Sequence, residues 1–413
     1  MTTIVTRTDL ALCDVADPLR EFRKLFDLPD DMIYLDGNSL GPVSRHSAER
    51  VRRVVQEQWG QDLIKSWNKH GWIDLPQRAG EKIAKLIGAK PTEVIVADST
   101  SVNLFKLLAA ALRLRPGRTI VLSEDSNFPT DLYIAQGLID LLGGQHELRL
   151  VDGNSIMGSI KKQTAVVMLT HVHYKTGRIH EMEQITKKAH EAGALVIWDL
   201  AHSAGALPVD LNGCNVDFAV GCGYKYLNGG PGAPAFLYVA ERLQNEIRQP
   251  LSGWMGHKAP FDFATDYEPA PGIARNLCGT PPILSLASLD ASLDIALAAD
   301  MKAVRDKSMA LGDVFVRLIE QECPGFGIEC ISPPAAQRGS QVSFTHESSY
   351  AIMQALIQRG VVGDFRAPNV MRFGFAPLYI RYADVWDAVA TLRNVLESRA
   401  WEQPQYRLRA GVT

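Results

Sequence analysis

DFAVGCGYKYLNGGPG, residues 217–232, runs from an apolar stretch into a lysine flanked by two tyrosines, followed by a glycine-rich turn. A surface turn can carry Tyr224-Lys225-Tyr226 without consequence. A lysine held at the end of a buried strand is different, because lysine is rarely buried and burial makes its amine a better nucleophile. The residues placed after the other strands of the chain decide between these two possibilities.

Short apolar runs at residues 94–97, 119–123, 147–151, 165–170, 195–199, 217–220 and 235–239 alternate with amphipathic stretches, among them 101–114 and 182–192. That alternation predicts βαβ units, hence an α/β fold with a mostly parallel central sheet. Beyond about residue 285 the pattern changes to a long helical region, 284–322, short strands near 341–344 and 370–375, and a last helix ending near Ser398. A chain of 413 residues exceeds what one core usually organises. Residues 61–284 are therefore expected to form a large α/β domain and 285–413 a smaller α+β domain. Residues 1–60, helical with an extended piece at 32–36, are expected to pack with the smaller one.

Composition narrows the function. The net charge of −3 comes with no basic block, so nucleic acid is not an expected partner. No run approaches the roughly 18–20 apolar residues of a membrane span, and the N-terminus lacks the apolar region of a signal peptide. The six cysteines are scattered without zinc spacing, which reads as reduced thiols of a cytoplasmic protein with no metal site.

In open α/β sheets ligands bind beyond the carboxyl ends of the strands. Asp98-Ser99-Thr100-Ser101 comes after the first run and opens a helix, placing hydroxyls and free N–H groups where a phosphate could sit; Ser99 or Thr100 as a plain helix cap fits equally well. Phe128 and Asp131 come after the second run, Phe128 offering a flat face for a heteroaromatic ring or simply filling core. The run 195–199 ends in Asp199, with Ala201-His202-Ser203 after it. A buried carboxylate needs a cationic partner, and a protonated pyridine nitrogen is one; an ordinary ion pair or helix cap is another. Lys225 comes 26 residues later. An anion seat, a ring stack, a carboxylate and a lysine, each after a strand and in this order, are the parts that pyridoxal 5′-phosphate requires.

With these parts in place the chain resembles the PLP-dependent enzymes of fold type I, the aspartate-aminotransferase-like superfamily, and within its class V branch the kynureninases. The resemblance rests on YLDGNSLGP (34–42), DSTSVNLFK (98–106), SNFPTDLY (126–133), LTHVHYKTG (169–177), WDLAHSAGA (198–206), GYKYLNGGPGAPAF (223–236), LSGWMGH (251–257), GTPPI (279–283) and VMRFGFAPLY (370–379). It implies that Lys225 bonds the cofactor, that Asp199 meets its ring nitrogen with His202 alongside, and that Phe128 stacks on the ring beside Asp131. It implies further cofactor contacts from Thr100, Ser101, Thr170, Tyr224, Trp254 and Thr280, the last reaching across a homodimer with shared active sites. Arg372 matches the residue that binds the substrate α-carboxylate, with Trp67 and Asn38 as further substrate contacts. His173 departs from the usual pattern at its position.

The implied activity is hydrolysis of the Cβ–Cγ bond of L-kynurenine, or its 3-hydroxy derivative, to anthranilate or 3-hydroxyanthranilate and L-alanine. That chemistry belongs to tryptophan catabolism along the kynurenine pathway and to NAD biosynthesis. Lys225, Tyr224 and Asp199 are the expected catalytic residues, Tyr224 as an acid–base group. The alternatives are another class V enzyme, an aminotransferase or a cysteine desulfurase, which needs a nucleophilic cysteine such as Cys323 or Cys330. A non-catalytic protein of this fold would be expected to lack Lys225, Asp199 or Arg372, and all three are present.

Overall fold

The computed structural model describes residues 4–409; the first three residues of the expected N-terminal segment and the last four of the expected smaller domain lie outside the described residues. Contacts divide the described chain into two units, one of residues 4–45, 175–179 and 298–409, the other of 46–174 and 180–297.

The second unit is built on seven strands: β1 (Val94–Val96), β2 (Ile120–Glu124), β3 (Glu147–Val151), β4 (Thr164–Thr170), β5 (Leu195–Asp199), β6 (Phe218–Gly221) and β7 (Phe236–Val239). All fall within a residue of the expected runs. Their order is β1-β7-β6-β5-β4-β2-β3. The sheet is parallel from β6 through β3, and β7 runs antiparallel to both its neighbours. Helices α1 (Thr100–Arg113), α2 (Pro129–Leu141) and α3 (Met182–Glu191) join successive strands, and α4 (Ile283–Ala298) comes later.

Burial explains the strand composition. All seven residues of β4 are enclosed, so the strand reads as one apolar run, whereas the edge strand β3 is only partly covered and carries Glu147 and Arg149. Leu104, Leu107, Leu108 and Ala111 of α1 share one core with Val121, Val166, Ile197, Phe218 and Leu237 of the sheet. The register then sets the site. Thr170 lies opposite Asp199, and Asp199 opposite Val220, so β4, β5 and β6 end side by side.

The first unit carries an antiparallel sheet of β8 (Glu329–Cys330), β9 (Gln341–Thr345), β10 (Asp364–Arg366) and β11 (Val370–Gly374), ordered β10-β11-β9-β8. With it go α5 (Met301–Glu322) and α6 (Tyr382–Glu397). Phe315 of α5 meets Phe344, Phe373 and Phe375, ring centroids 4.8–5.8 Å apart. Ile33–Tyr34 pairs in parallel with Val361–Val362 and ties the N-terminal segment to this unit. The expected single helical region 284–322 is two helices. It breaks after Ala298, where the Asp300 side chain accepts the Lys302 N–H at 3.1 Å and starts α5 afresh.

Candidate active site

Nine of the expected residues line one pocket of the second unit: Thr100, Ser101, Phe128, Asp131, Thr170, Asp199, His202, Tyr224 and Lys225. Each stands at or just beyond a strand end or in the first turn of the helix after it. At α1 the cap is Ser99, whose Oγ accepts the Val102 N–H at 3.3 Å. Thr100 and Ser101 are thereby left free of capping duty, in a first turn whose N–H groups have no partner within the helix. Asn127 holds the next corner. Its Oδ1 accepts the Phe128 N–H at 2.7 Å and the Thr170 hydroxyl at 2.5 Å, and its Nδ2 donates to Ser123 Oγ at 3.1 Å.

Lys225 is partly exposed rather than fully buried, because its amine opens into the pocket. Nζ lies 3.1 Å from His202 Nε2, 5.9 Å from the centre of the Phe128 ring and 5.8 Å from that of Tyr224. Around it stand two enclosed carboxylates. Burial, and then the charge of Asp199, push Asp131 well above the usual carboxyl range, and its Oδ1 is buried with no hydrogen-bond partner. Burial also raises Asp199, against the pull of Lys225 and of the Ala201 N–H that it accepts at 2.8 Å. With one amine beside two buried carboxyls, a further cation there would favour their charged forms. Burial, Cys222 and Asp199 together push the Tyr224 phenol upward, so Tyr224 holds its proton and gives it up only to a strong base such as a carbanion.

The remaining expected residues lie elsewhere. Trp67, Trp254 and Thr280 line a second cleft of this unit with Ile64, Ile73 and Phe261, about 470 Å³ in volume and of a size for a small ligand or an inserted side chain. Trp254 is 44% exposed and stacks on Phe263, which is 76% exposed.

Asn38 and Arg372 belong to the first unit. Both are enclosed, and a Cβ on Gly374 would lie 1.9 Å from Asn38 Oδ1, so only glycine fits there. Asp364 accepts from Arg372 Nε at 2.9 Å and also from Nη2, which reaches Ser39 Oγ at 3.0 Å as well. Burial opposes the Asp364 charge, but Arg372, Arg366 and Ser39 outweigh it and hold the carboxyl below its ordinary range. Beside it, burial and the Asp364 charge raise Asp36 to about 7.

Sequence reasoning did not single out Tyr174, which lines the pocket and meets Phe128 edge-on at 5.2 Å. It lies just after β4, so reading that strand end as the others were read would have found it. Also unremarked was His171, whose Nδ1 is 2.9 Å from Ser203 Oγ and whose N–H donates to the Asp199 carbonyl. Burial and then His180 lower its pKa to about 3, so it braces the Asp199 turn as a neutral ring. His173 donates Nε2–H to the Ser126 carbonyl at 2.9 Å, and Tyr226 is buried as packing. Cys323 ends α5 with its thiol pushed up to about 11 by burial, and burial raises Cys330 as well, so neither is a ready thiolate.

Residues 304–392 match the model of the kynureninase C-terminal domain, and residues 61–216 match the DegT/DnrJ/EryC1/StrS aminotransferase family. The chain is 53% identical over 414 residues to kynureninase of Burkholderia mallei (strain SAVP1), covering 99% of this chain and 100% of the relative. It is 51% identical over 416 residues to kynureninase of Pseudomonas fluorescens, with the same coverage. Among solved structures it is similar to apo cysteine desulfurase from Thermococcus onnurineus NA1, with TM-score 0.77, 19% identity, and 96% and 100% of the two chains covered. It is also similar to a mutant of C-DES with glycine covalently linked to its PLP cofactor, with TM-score 0.77, 19% identity, and 90% and 99% covered. Likeness at this identity concerns the fold, which is that of the PLP-dependent enzymes of type I.

Proposed function

The chain belongs to the kynureninase family, and from that premise we propose which of its side chains carry the reaction. The protein is a PLP-dependent hydrolase of a carbon–carbon bond, cleaving L-kynurenine between Cβ and Cγ to give anthranilate and L-alanine. The desulfurase and aminotransferase alternatives are not favoured.

The single observation that carries the assignment of roles is the charge balance around Lys225. Two enclosed carboxylates and one amine accept a protonated ring nitrogen, and the first turn of α1 with Thr100 and Ser101 accepts a phosphate. When bound, pyridoxal phosphate supplies the sink for the electron pair released at the substrate Cα. Lys225 provides the amine that bonds the cofactor, then takes and returns the Cα proton, with His202 holding Nζ in place. Asp199 would keep the ring nitrogen protonated, with Asp131 close by, its Oδ2 3.4 Å from Thr170 Oγ1, and Phe128 would offer its face to the ring. Tyr224, holding its proton, delivers it to Cβ after water has added at the γ-carbonyl and the bond to Cγ has broken. Arg372 is our proposed partner for the substrate α-carboxylate, with Asn38 and Trp67 as further substrate contacts.

The exposed Trp254, Phe261 and Phe263, and the cleft that Trp254 and Phe261 share with Thr280, support a homodimer in which Trp254 and Thr280 serve the other subunit's cofactor. Among the described residues no helix is long and apolar enough to cross a membrane. We place the enzyme in the cytoplasm, in kynurenine catabolism and NAD biosynthesis.

The test is direct. Purified protein should show the visible absorbance of lysine-bound cofactor and release fluorescent anthranilate from L-kynurenine; release from the 3-hydroxy compound would define its range. Tyr224→Phe should keep the absorbance and lose about 99% of turnover, the usual scale for a lost acid–base group. Full turnover in that variant would remove Tyr224 from the reaction.

A further inference from the structure

Lys106 lies on α1, two turns from the helix start, and its side chain is completely enclosed. Its ammonium binds the Asp98 carboxylate and donates to the Asn276 carbonyl at 2.7 Å. Asp98 is the residue just before the Ser99 cap and has φ +48°, the left-handed region that few side chains adopt without support. The turn is pinned from three further directions. Asp98 O accepts the Ala235 N–H at 2.9 Å, Asn103 Nδ2 donates to Ala97 O at 2.7 Å, and Asn103 N–H donates to Ser99 O at 2.9 Å.

The other end of the lysine's reach is equally specific. Asn276 is fully buried, donates Nδ2–H to Ile273 O, and begins the segment that ends in Thr280. Cys278, within that segment, accepts the Met255 N–H on its carbonyl at 3.0 Å, and a Cβ on Gly253 would lie 2.5 Å from the same oxygen. The stretch carrying Trp254 is therefore clamped against the stretch carrying Thr280. Cys278 itself faces the ammonium, which opposes the upward push of burial on its thiol.

An ammonium taken wholly out of water is costly. Where only stability is served, a well-packed apolar side chain does as well as a buried ion pair or better. Here one ammonium joins two segments, and each carries a different part of the anion-binding apparatus. Resting on the phosphate seat assigned to α1, we propose that Lys106 is a positioning residue for the cofactor phosphate. It holds the strained turn that aims Thr100 and Ser101, and it fixes the Asn276–Thr280 segment that carries Thr280 and abuts Trp254. In a homodimer the same lysine sets one phosphate contact of its own site and one of its partner's.

The experiment compares pyridoxal phosphate with pyridoxal, which lacks the phosphate, by titrating the full-length protein stripped of cofactor. The unaltered chain should prefer the phosphorylated form by about a hundredfold or more. In Lys106→Met that preference should fall about tenfold, with pyridoxal affinity changed less than about twofold. An unchanged preference would overturn the role of Lys106. A preference near one in the unaltered chain would instead overturn the phosphate seat itself.

Lys106→Met strands the Asp98 charge, so Asp98→Asn/Lys106→Met is made alongside and replaces it if the single variant does not fold. The double variant should recover its melting temperature while the preference stays low, because the tie to Asn276 is still cut. Recovery of both together would mean that Lys106 only neutralises Asp98, and the proposal would fall.

Discussion

Asp131 stands at the third position of α2, 1% exposed, with Asp199 exerting the strongest effect of the charges around it and Thr170 Oγ1 3.4 Å away. Its folded-state pKa lies above that of the unfolded chain. Between those two values the native carboxyl keeps a proton that the unfolded chain has released, so stability falls as pH rises through that window. Without cofactor, Asp131→Asn should therefore melt higher than the parent at pH 8, by roughly 2–4 °C, and the gap should close as pH falls below about 4, where the carboxyl becomes protonated in the unfolded chain as well as the folded one. A pH-independent gap would mean that packing and not charge separates the two proteins. Loaded with cofactor, the order should narrow or reverse, because the ring cation relieves the carboxylates that the variant has removed. His171 works in the opposite sense: its depressed pKa withdraws stability as pH falls below about 6.5, the ordinary histidine value.

Single elements show how much of this design the sequence reveals. Strand positions were legible because buried parallel strands are short, apolar and widely spaced, and the residues after them were legible because that sheet geometry puts ligands there. Which of Ser99 and Thr100 caps α1 was not legible, since both are plausible caps and only backbone geometry chooses Ser99. The break at Ala298 was marked by Asp300 but masked by apolar residues on both sides. Nor could spacing along the chain reveal that Trp67, Trp254 and Thr280 gather in a cleft away from Lys225, because tertiary distance is not written in sequence separation. The cap has a measurable consequence. Ser99→Ala should cost the second unit about 1 kcal/mol in urea unfolding and weaken cofactor binding, since α1 then begins less sharply. Unfolding indistinguishable from the parent would show that the turn at Asp98 holds the helix end without it.

At the scale of the whole molecule the expected homodimer can be tested by complementation. Lys225→Ala removes the cofactor-bonding amine, and Trp254→Ala/Thr280→Ala removes what is proposed to reach the other subunit. Each protein alone should be nearly inactive. Mixed in equal amounts and allowed to exchange, they should regain about a quarter of parental activity, because half the dimers are then hybrid and each hybrid has one intact site. No recovery after verified exchange would place Trp254 and Thr280 in the service of their own chain. The division into units also has a temporal side. Residues 175–179 belong to the first unit: Thr176 O accepts from Ser332 Oγ, Gly177 O from the Gly339 N–H, and the Ile179 N–H donates to Gln337 O. During synthesis this five-residue excursion emerges in the middle of the second unit and waits for partners more than 150 residues downstream. At ribosomal speed that is on the order of ten to thirty seconds. Over that interval the five residues directly after Tyr174 have left the ribosome without the partners that hold them in the folded chain.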